Sequence, residues 1–208
     1  GILRPGDIML SVAGKPYDTL EEVIGLVGET GNGSLRDFGV AYDQVELTPD
    51  GGFDYATVDE KLNAAGGRVK MVFIQRSKGY DWRDTFCVDE IGEIIKFVKS
   101  INSEIVCIVD NCYGEFVEDK EPCSVGADLI VGSLIKNPGG GLAPIGGYIA
   151  GKKRAVELAS YRLTSVGTGC EVGASLGQNR SLFKGFFLAP HIVMQAKKTA
   201  HFASYVYE

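Results

Sequence analysis

Short continuous apolar runs, separated by segments of helical period, constrain this chain more than any other feature. VKMVFIQ (residues 69–75), EIVCIVD (104–110) and ADLIVGS (127–133) are rich in Val and Ile. Runs of this kind suit strands covered on both faces, the condition of a parallel sheet. Between the first two, VDEIGEIIKFVKSI (88–101) repeats its apolar residues at spacings of three and four, as an amphipathic helix does. DIMLSVA, FGVAYDQVEL and GGYIAG add strands, TLEEVIGLVG and DYATVDEKLNAA add helices, and the final FASYVYE reads as helical. The pattern predicts an α/β chain, a three-layer sandwich around a mostly parallel central sheet. With no repeat, linker or low-complexity segment, residues 1–208 are expected to form one domain.

Ligands of such sheets bind in the crevice outside the carboxyl ends of the strands. Three polar segments fall there: QRSKGY after MVFI, DNCYGEF after IVCIV, and SLIK after ADLIVG. Asp110 ends a run that reads as buried, where a carboxylate needs a cation or hydrogen bonds. It either caps the turn at NCYG or serves a site. Lys136 stands in VGSLIKNPGGG (131–141), with an apolar run before it and Pro138 and three glycines after it. A lysine so surrounded is expected to have its pKa lowered, which makes the amine a nucleophile and base. A lone lysine at a strand end can equally snorkel to solvent. Together, a strand-end Asp and a Lys one strand later match the needs of pyridoxal phosphate: an amine for the aldehyde and a carboxylate for the ring nitrogen.

Charge and cysteine usage exclude other classes. The net charge of −6, with no basic stripe, argues against a nucleic-acid or anionic-membrane surface. No apolar run reaches the about 18 residues of a membrane span, and no secretory leader is seen. Five cysteines without a C-x-x-C pair disfavour a disulfide framework or zinc site, and a cytoplasmic location is expected. Two histidines leave no histidine-rich metal site. Neither a phosphate loop of the G-x-x-x-x-G-K-[ST] kind nor a dinucleotide fingerprint is present.

The segment VDNCYGEFVEDKEPCSVGADLIVGSLIKNPGGGLAPIGGYIAGK (109–152) resembles the lysine region of the aluminium-resistance, or methionine gamma-lyase-like, family of fold type I pyridoxal-phosphate enzymes. LRPGDIMLSVAGKPYDTLEEVIG, IQRSKGYDWR and RLTSVGTGCEVGA resemble further blocks of that family, in family order. The resemblance implies that Lys136 forms the Schiff base with pyridoxal 5'-phosphate, that Asp110 partners the pyridinium nitrogen, and that Ser133 binds the phosphate. It gives Tyr17 a stacking and catalytic place, with packing over a helix start as the alternative. Arg76 and Ser77 would touch the cofactor's phenolic oxygen or the substrate, although Arg76 also suits a surface ion pair. Arg162 has similar standing. Cys112 and Tyr113 read as packing residues, and His191 as a hydrogen-bonded core or helix-start histidine.

The resemblance implies a carbon–sulfur lyase that eliminates a thiol from a sulfur amino acid of methionine or cystathionine type. An aminotransferase or aldolase on the same fold is the first alternative, and a cofactor-free binding module the second. The expected partners are a small amino-acid substrate and further copies of the chain, as a homodimer or homotetramer of the full-length protein. The family also has an N-terminal arm with a phosphate cup and a C-terminal small domain. The chain is therefore expected to be the large cofactor-binding domain of a longer protein, and to show no lyase activity by itself.

Overall fold

In the computed structural model, which describes residues 1–208, eleven helices and strands follow in the order β1 (Ile8–Ser11), α1 (Asp18–Ile24), β2 (Ala41–Gln44), α2 (Tyr55–Ala64), β3 (Val69–Gln75), α3 (Val88–Ile101), β4 (Val106–Asp110), β5 (Leu129–Ser133), β6 (Gly147–Gly151), α4 (Lys153–Ser160) and α5 (Asn179–Tyr207). The strands form one sheet in the order β2-β1-β3-β4-β5-β6. All neighbours are parallel except β5 and β6, which are joined by residues 134–146 and run antiparallel. The expected α/β architecture with a mostly parallel sheet is what the chain adopts.

Alternation along the strands sends successive side chains to opposite faces. Leu10, Val72, Ile74, Cys107, Val109 and Ile130 enter the larger core, which α2 and α3 cover. Met9, Met71 and Phe73 enter a smaller cluster on the other face, where Ile24 and Leu20 of α1 pack. Helix α3 owes its position to its sequence. Its buried residues Val88, Ile91, Ile94, Ile95 and Val98 share one stripe, and each contributes about 1.5–3 kcal/mol on burial. A capping box closes its start: the Cys87 N–H donates to Glu90 Oε2 at 2.7 Å, and the Glu90 N–H donates to Cys87 Sγ at 3.5 Å.

The glycines after Lys136 meet a helix. Gly139 and Gly140 lie against Gly185 of α5, so closely that a Cβ at Gly185 would collide with the Gly139 carbonyl. Glycine here permits close approach of two backbones. Helix α5 is otherwise mostly exposed, with Phe183, Phe187 and Tyr205 among its uncovered rings. No helix is long and apolar enough to cross a membrane.

Candidate functional site

Parallel register puts the ends of β3, β4 and β5 side by side. Gln75 pairs with Asp110, and Asp110 with Val131. By alternation Gln75 and Asp110 point to the α1 face, in line with Met71, Phe73 and Ile108. Tyr17 stands at the start of α1 on that same face, its N–H donating to Gln75 Oε1 at 2.8 Å. Three residues beyond β5 the chain turns, the Lys136 N–H donating to the Ser133 carbonyl at 3.2 Å. The result is a small cavity of about 70 Å³ walled by Tyr17, Gln75, Ser77, Asp110, Cys112 and Lys136, with Gly79 and Tyr113 completing it.

Within it the charges are set by neighbours. Asp110 is half-buried, and its Oδ1 accepts from the Cys112 N–H at 3.0 Å. The Cys112 thiol lies beside the same carboxylate. Lys136 Nζ stands 4.4 Å from the centroid of the Tyr113 ring. The lowered lysine pKa expected from apolar surroundings is not what the structure produces. Burial does pull the Lys136 ammonium down, but its neighbours Cys112, Tyr113 and Asp110 outweigh it and hold it above the ordinary value. Burial and the Asp110 charge in turn push the Cys112 thiol up. Tyr17 is stacked on Tyr80, with centroids 5.5 Å apart and hydroxyls hydrogen-bonded at 3.1 Å, and that bond raises the Tyr17 hydroxyl pKa.

The loops are tied from behind. Asn137, next to the lysine, donates its amide to the carbonyls of Tyr113 at 3.1 Å and Glu115 at 3.0 Å. Tyr113 and Phe116 hold φ values of 68° and 61°, a left-handed conformation that costs a side-chain-bearing residue about 1–2 kcal/mol. That backbone turns the segment after Asp110 back beneath Lys136.

Four of the six expected site residues, Lys136, Asp110, Tyr17 and Ser77, line this cavity. Ser133 is half-buried at the end of β5 and does not line it. Arg76 neither faces the cavity nor makes a surface ion pair. One residue past Gln75, it points to the opposite face and is 1% exposed. Its guanidinium donates to Asn111 Oδ1 at 2.8 Å and to the carbonyls of Gly114 at 3.0 Å and Phe86 at 3.3 Å, and it pairs with Glu118. Glu118 also accepts from the Val88 N–H at the start of α3. Arg76 is thus an internal tie between β3, the loop after Asp110 and α3. Arg162 is exposed beyond α4, and His191 is an exposed residue in the middle of α5 rather than a core or helix-start histidine. Sequence reasoning missed Gln75, whose signal was a polar residue closing an apolar run. It read Cys112 and Tyr113 as packing, yet both line the site.

Comparisons with known proteins give the family. A family profile described as methionine gamma-lyase matches residues 1–208. The chain is 55% identical over 204 residues to the uncharacterized protein YnbB of Bacillus subtilis, covering 98% of this chain and 48% of that protein. A carbon–sulfur lyase involved in aluminum resistance from Clostridium novyi superposes with a TM-score of 0.89 at 51% identity, covering 93% of this chain and 46% of the other. A proposed cystathionine beta-lyase involved in aluminum resistance from Listeria monocytogenes does so with a TM-score of 0.93 at 53% identity, covering 97% and 49%. The chain therefore spans about half the length of these relatives. A pyridoxal-5'-phosphate-dependent protein from Escherichia coli, YhfS, shares the fold with a TM-score of 0.61 at 15% identity. The family profile over the whole chain and the relatives at half its sequence make this protein a member of the methionine gamma-lyase family.

Proposed function

We propose that the chain is the cofactor-binding part of a pyridoxal-phosphate-dependent carbon–sulfur lyase acting on sulfur-containing amino acids. One observation carries the reading: an amine and a carboxylate, Lys136 and Asp110, line one cavity together with the ring of Tyr17. That donor set fits pyridoxal phosphate, with Lys136 for the aldehyde, Asp110 for the ring nitrogen and Tyr17 for the ring face. Ser133, whose hydroxyl takes no protein partner, keeps the phosphate role.

When bound, the cofactor supplies an electron sink for charge developing at the substrate α carbon. The chain's residues do the rest. Lys136, once it has given up its proton, would take the proton from the α carbon, a general-base contribution typically of about 10²- to 10⁴-fold. Asp110 would hold a proton on the ring nitrogen of a bound cofactor. The Tyr17 hydroxyl would stabilise a departing thiol, in β- or γ-elimination. The relative from C. novyi described as a carbon–sulfur lyase supports the reaction class. The reading includes a homodimer or homotetramer of the longer protein. It also places the protein in the cytoplasm, supported by five cysteines that are all free thiols.

The test uses the longer protein. Thiol release from cystathionine or methionine, together with the yellow absorbance of bound cofactor, is expected and should vanish with Lys136→Ala. Asp110→Ala should lower turnover by several orders of magnitude. Turnover that survives Lys136→Ala defeats the proposal.

A further inference from the structure

A second cavity of about 490 Å³ lies behind the lysine loop, on the larger-core side of the sheet. Leu134 and Pro138 of that loop form part of its wall, with Ile130 beneath them and Leu182, Phe183 and Phe186 of α5 across from them. Its size and mostly apolar lining are those of a small-molecule site. Its charged groups share one sign, beside the neutral Asn111, Tyr148 and Asn179. Glu115 and Glu121 line it, and no Lys, Arg or His does.

Glu115 is 4% exposed. Its Oε1 accepts from the Tyr148 hydroxyl at 2.7 Å, while its Oε2 is buried without any partner. A buried carboxylate oxygen left unpaired is unfavourable unless something donates to it. The pair is built into the sheet: a Cβ at Gly132 would lie 2.5 Å from both Glu115 Oε1 and Tyr148. Glu121 is satisfied by the Phe116 N–H and the Asn111 amide, each at 2.8 Å. Arg76, the one buried cation nearby, is committed to Glu118 and approaches Glu121 only to 3.8 Å. Arg76 thus serves Glu118 and Glu121, and no cation pairs with Glu115.

We propose that this cavity binds a small apolar amine, its aryl or branched-alkyl group against Leu182, Phe183 and Phe186 and its cationic nitrogen donating to Glu115 Oε2. The site is separate from the Lys136 cavity and shares a loop with it, so an occupant braces the segment that carries the lysine.

Calorimetric titration with 2-phenylethylamine, against its neutral counterpart 2-phenylethanol, tests this. The amine should bind at least about tenfold tighter, the difference that a charge-assisted hydrogen bond makes. Glu115→Gln should erase that advantage, and Ala150→Trp, which fills the cavity from the exposed edge strand, should abolish binding of both. Equal affinity for amine and alcohol overturns the proposal, as does an advantage that persists in Glu115→Gln. If Glu115→Gln fails to fold, Ala150→Trp decides, and undiminished amine binding there is equally fatal. The same titration on a protein of the relatives' full length must also show binding. Its loss there would mean that the rest of the chain fills the cavity, and the proposal fails.

Discussion

Lys136 and Tyr113 meet as cation and ring, 4.4 Å apart, across the mouth of a cavity whose floor is the Asp110 carboxylate. The contact exists because Tyr113 adopts a backbone conformation that tyrosine disfavours, at φ 68°. Two opposed effects of similar size are therefore joined in one residue. Left-handed strain of about 1–2 kcal/mol is set against a cation–π contact of about 0.5–1 kcal/mol at an exposed ring.

Tyr113→Gly should accordingly leave stability within about 1 kcal/mol of the parent, since relieved strain offsets the lost contact. Tyr113→Val should be worse by about 1–2 kcal/mol, because a β-branched residue is poorly tolerated at positive φ. Urea unfolding of the two variants measures the gap. Equal stability would remove strain from the account of this loop.

The Lys136 amine should react slowly at neutral pH. Its ammonium is held above the ordinary value of 10.5, so capture of an aldehyde rises with pH into that range. Attachment of pyridoxal phosphate trapped with borohydride gives the profile. Cys112→Ala removes the largest opposing influence to burial, so the profile should move to lower pH. An unmoved curve would mean that Cys112 does not set the charge of the lysine. The same raised pKa contributes stability that is complete below the unfolded lysine value and lost as pH climbs through the folded one.

Arg76→Ala should be among the most damaging single changes, at about 3–5 kcal/mol in chemical unfolding. It leaves Glu118 and Asn111 facing an empty buried space and releases the loop after Asp110. Arg76→Lys should rescue little, because an ammonium cannot span the same fork of acceptors. Rescue to parental stability would show that charge alone, without geometry, holds the loop.

Asp128 controls acid stability at the other end of β5. Burial pushes its carboxyl up, but Lys152 at 2.6 Å, Lys99 at 2.7 Å and the Cys107 N–H at 2.7 Å together hold it below the ordinary value. A depressed carboxyl contributes stability above its unfolded value of 3.8 that is lost as pH falls through the folded one. Asp128→Asn should therefore flatten the acid limb of the stability–pH curve below about pH 4. At neutral pH, Asp128→Ala should lose about 1–3 kcal/mol, mainly for the orphaned Cys107 N–H, since both lysines can turn to water. An unchanged acid limb would shift that role to another carboxyl.

The elements were legible in the sequence because their signals are local. Continuous Val and Ile runs marked β3, β4 and β5, and the stripe of Ile91, Ile94, Ile95 and Val98 marked α3. Strand ends in a parallel sheet converge on one edge, which is why Asp110 and Lys136 stood out together. Alternation also held the answer for residues 75 and 76: Gln75 continues the row of Met71 and Phe73 to the site, and Arg76 continues that of Val72 and Ile74 to the core. What the sequence left open depends on packing between distant segments. Only the fold shows that Glu118, forty-two positions after Arg76, makes an ion pair with that buried arginine. The charge of Lys136 was decided in the same way, since burial and three polar neighbours act in opposite directions and only their distances determine which prevails. Periodicity belongs to the chain, while the balance between desolvation and Coulomb attraction belongs to the assembled site.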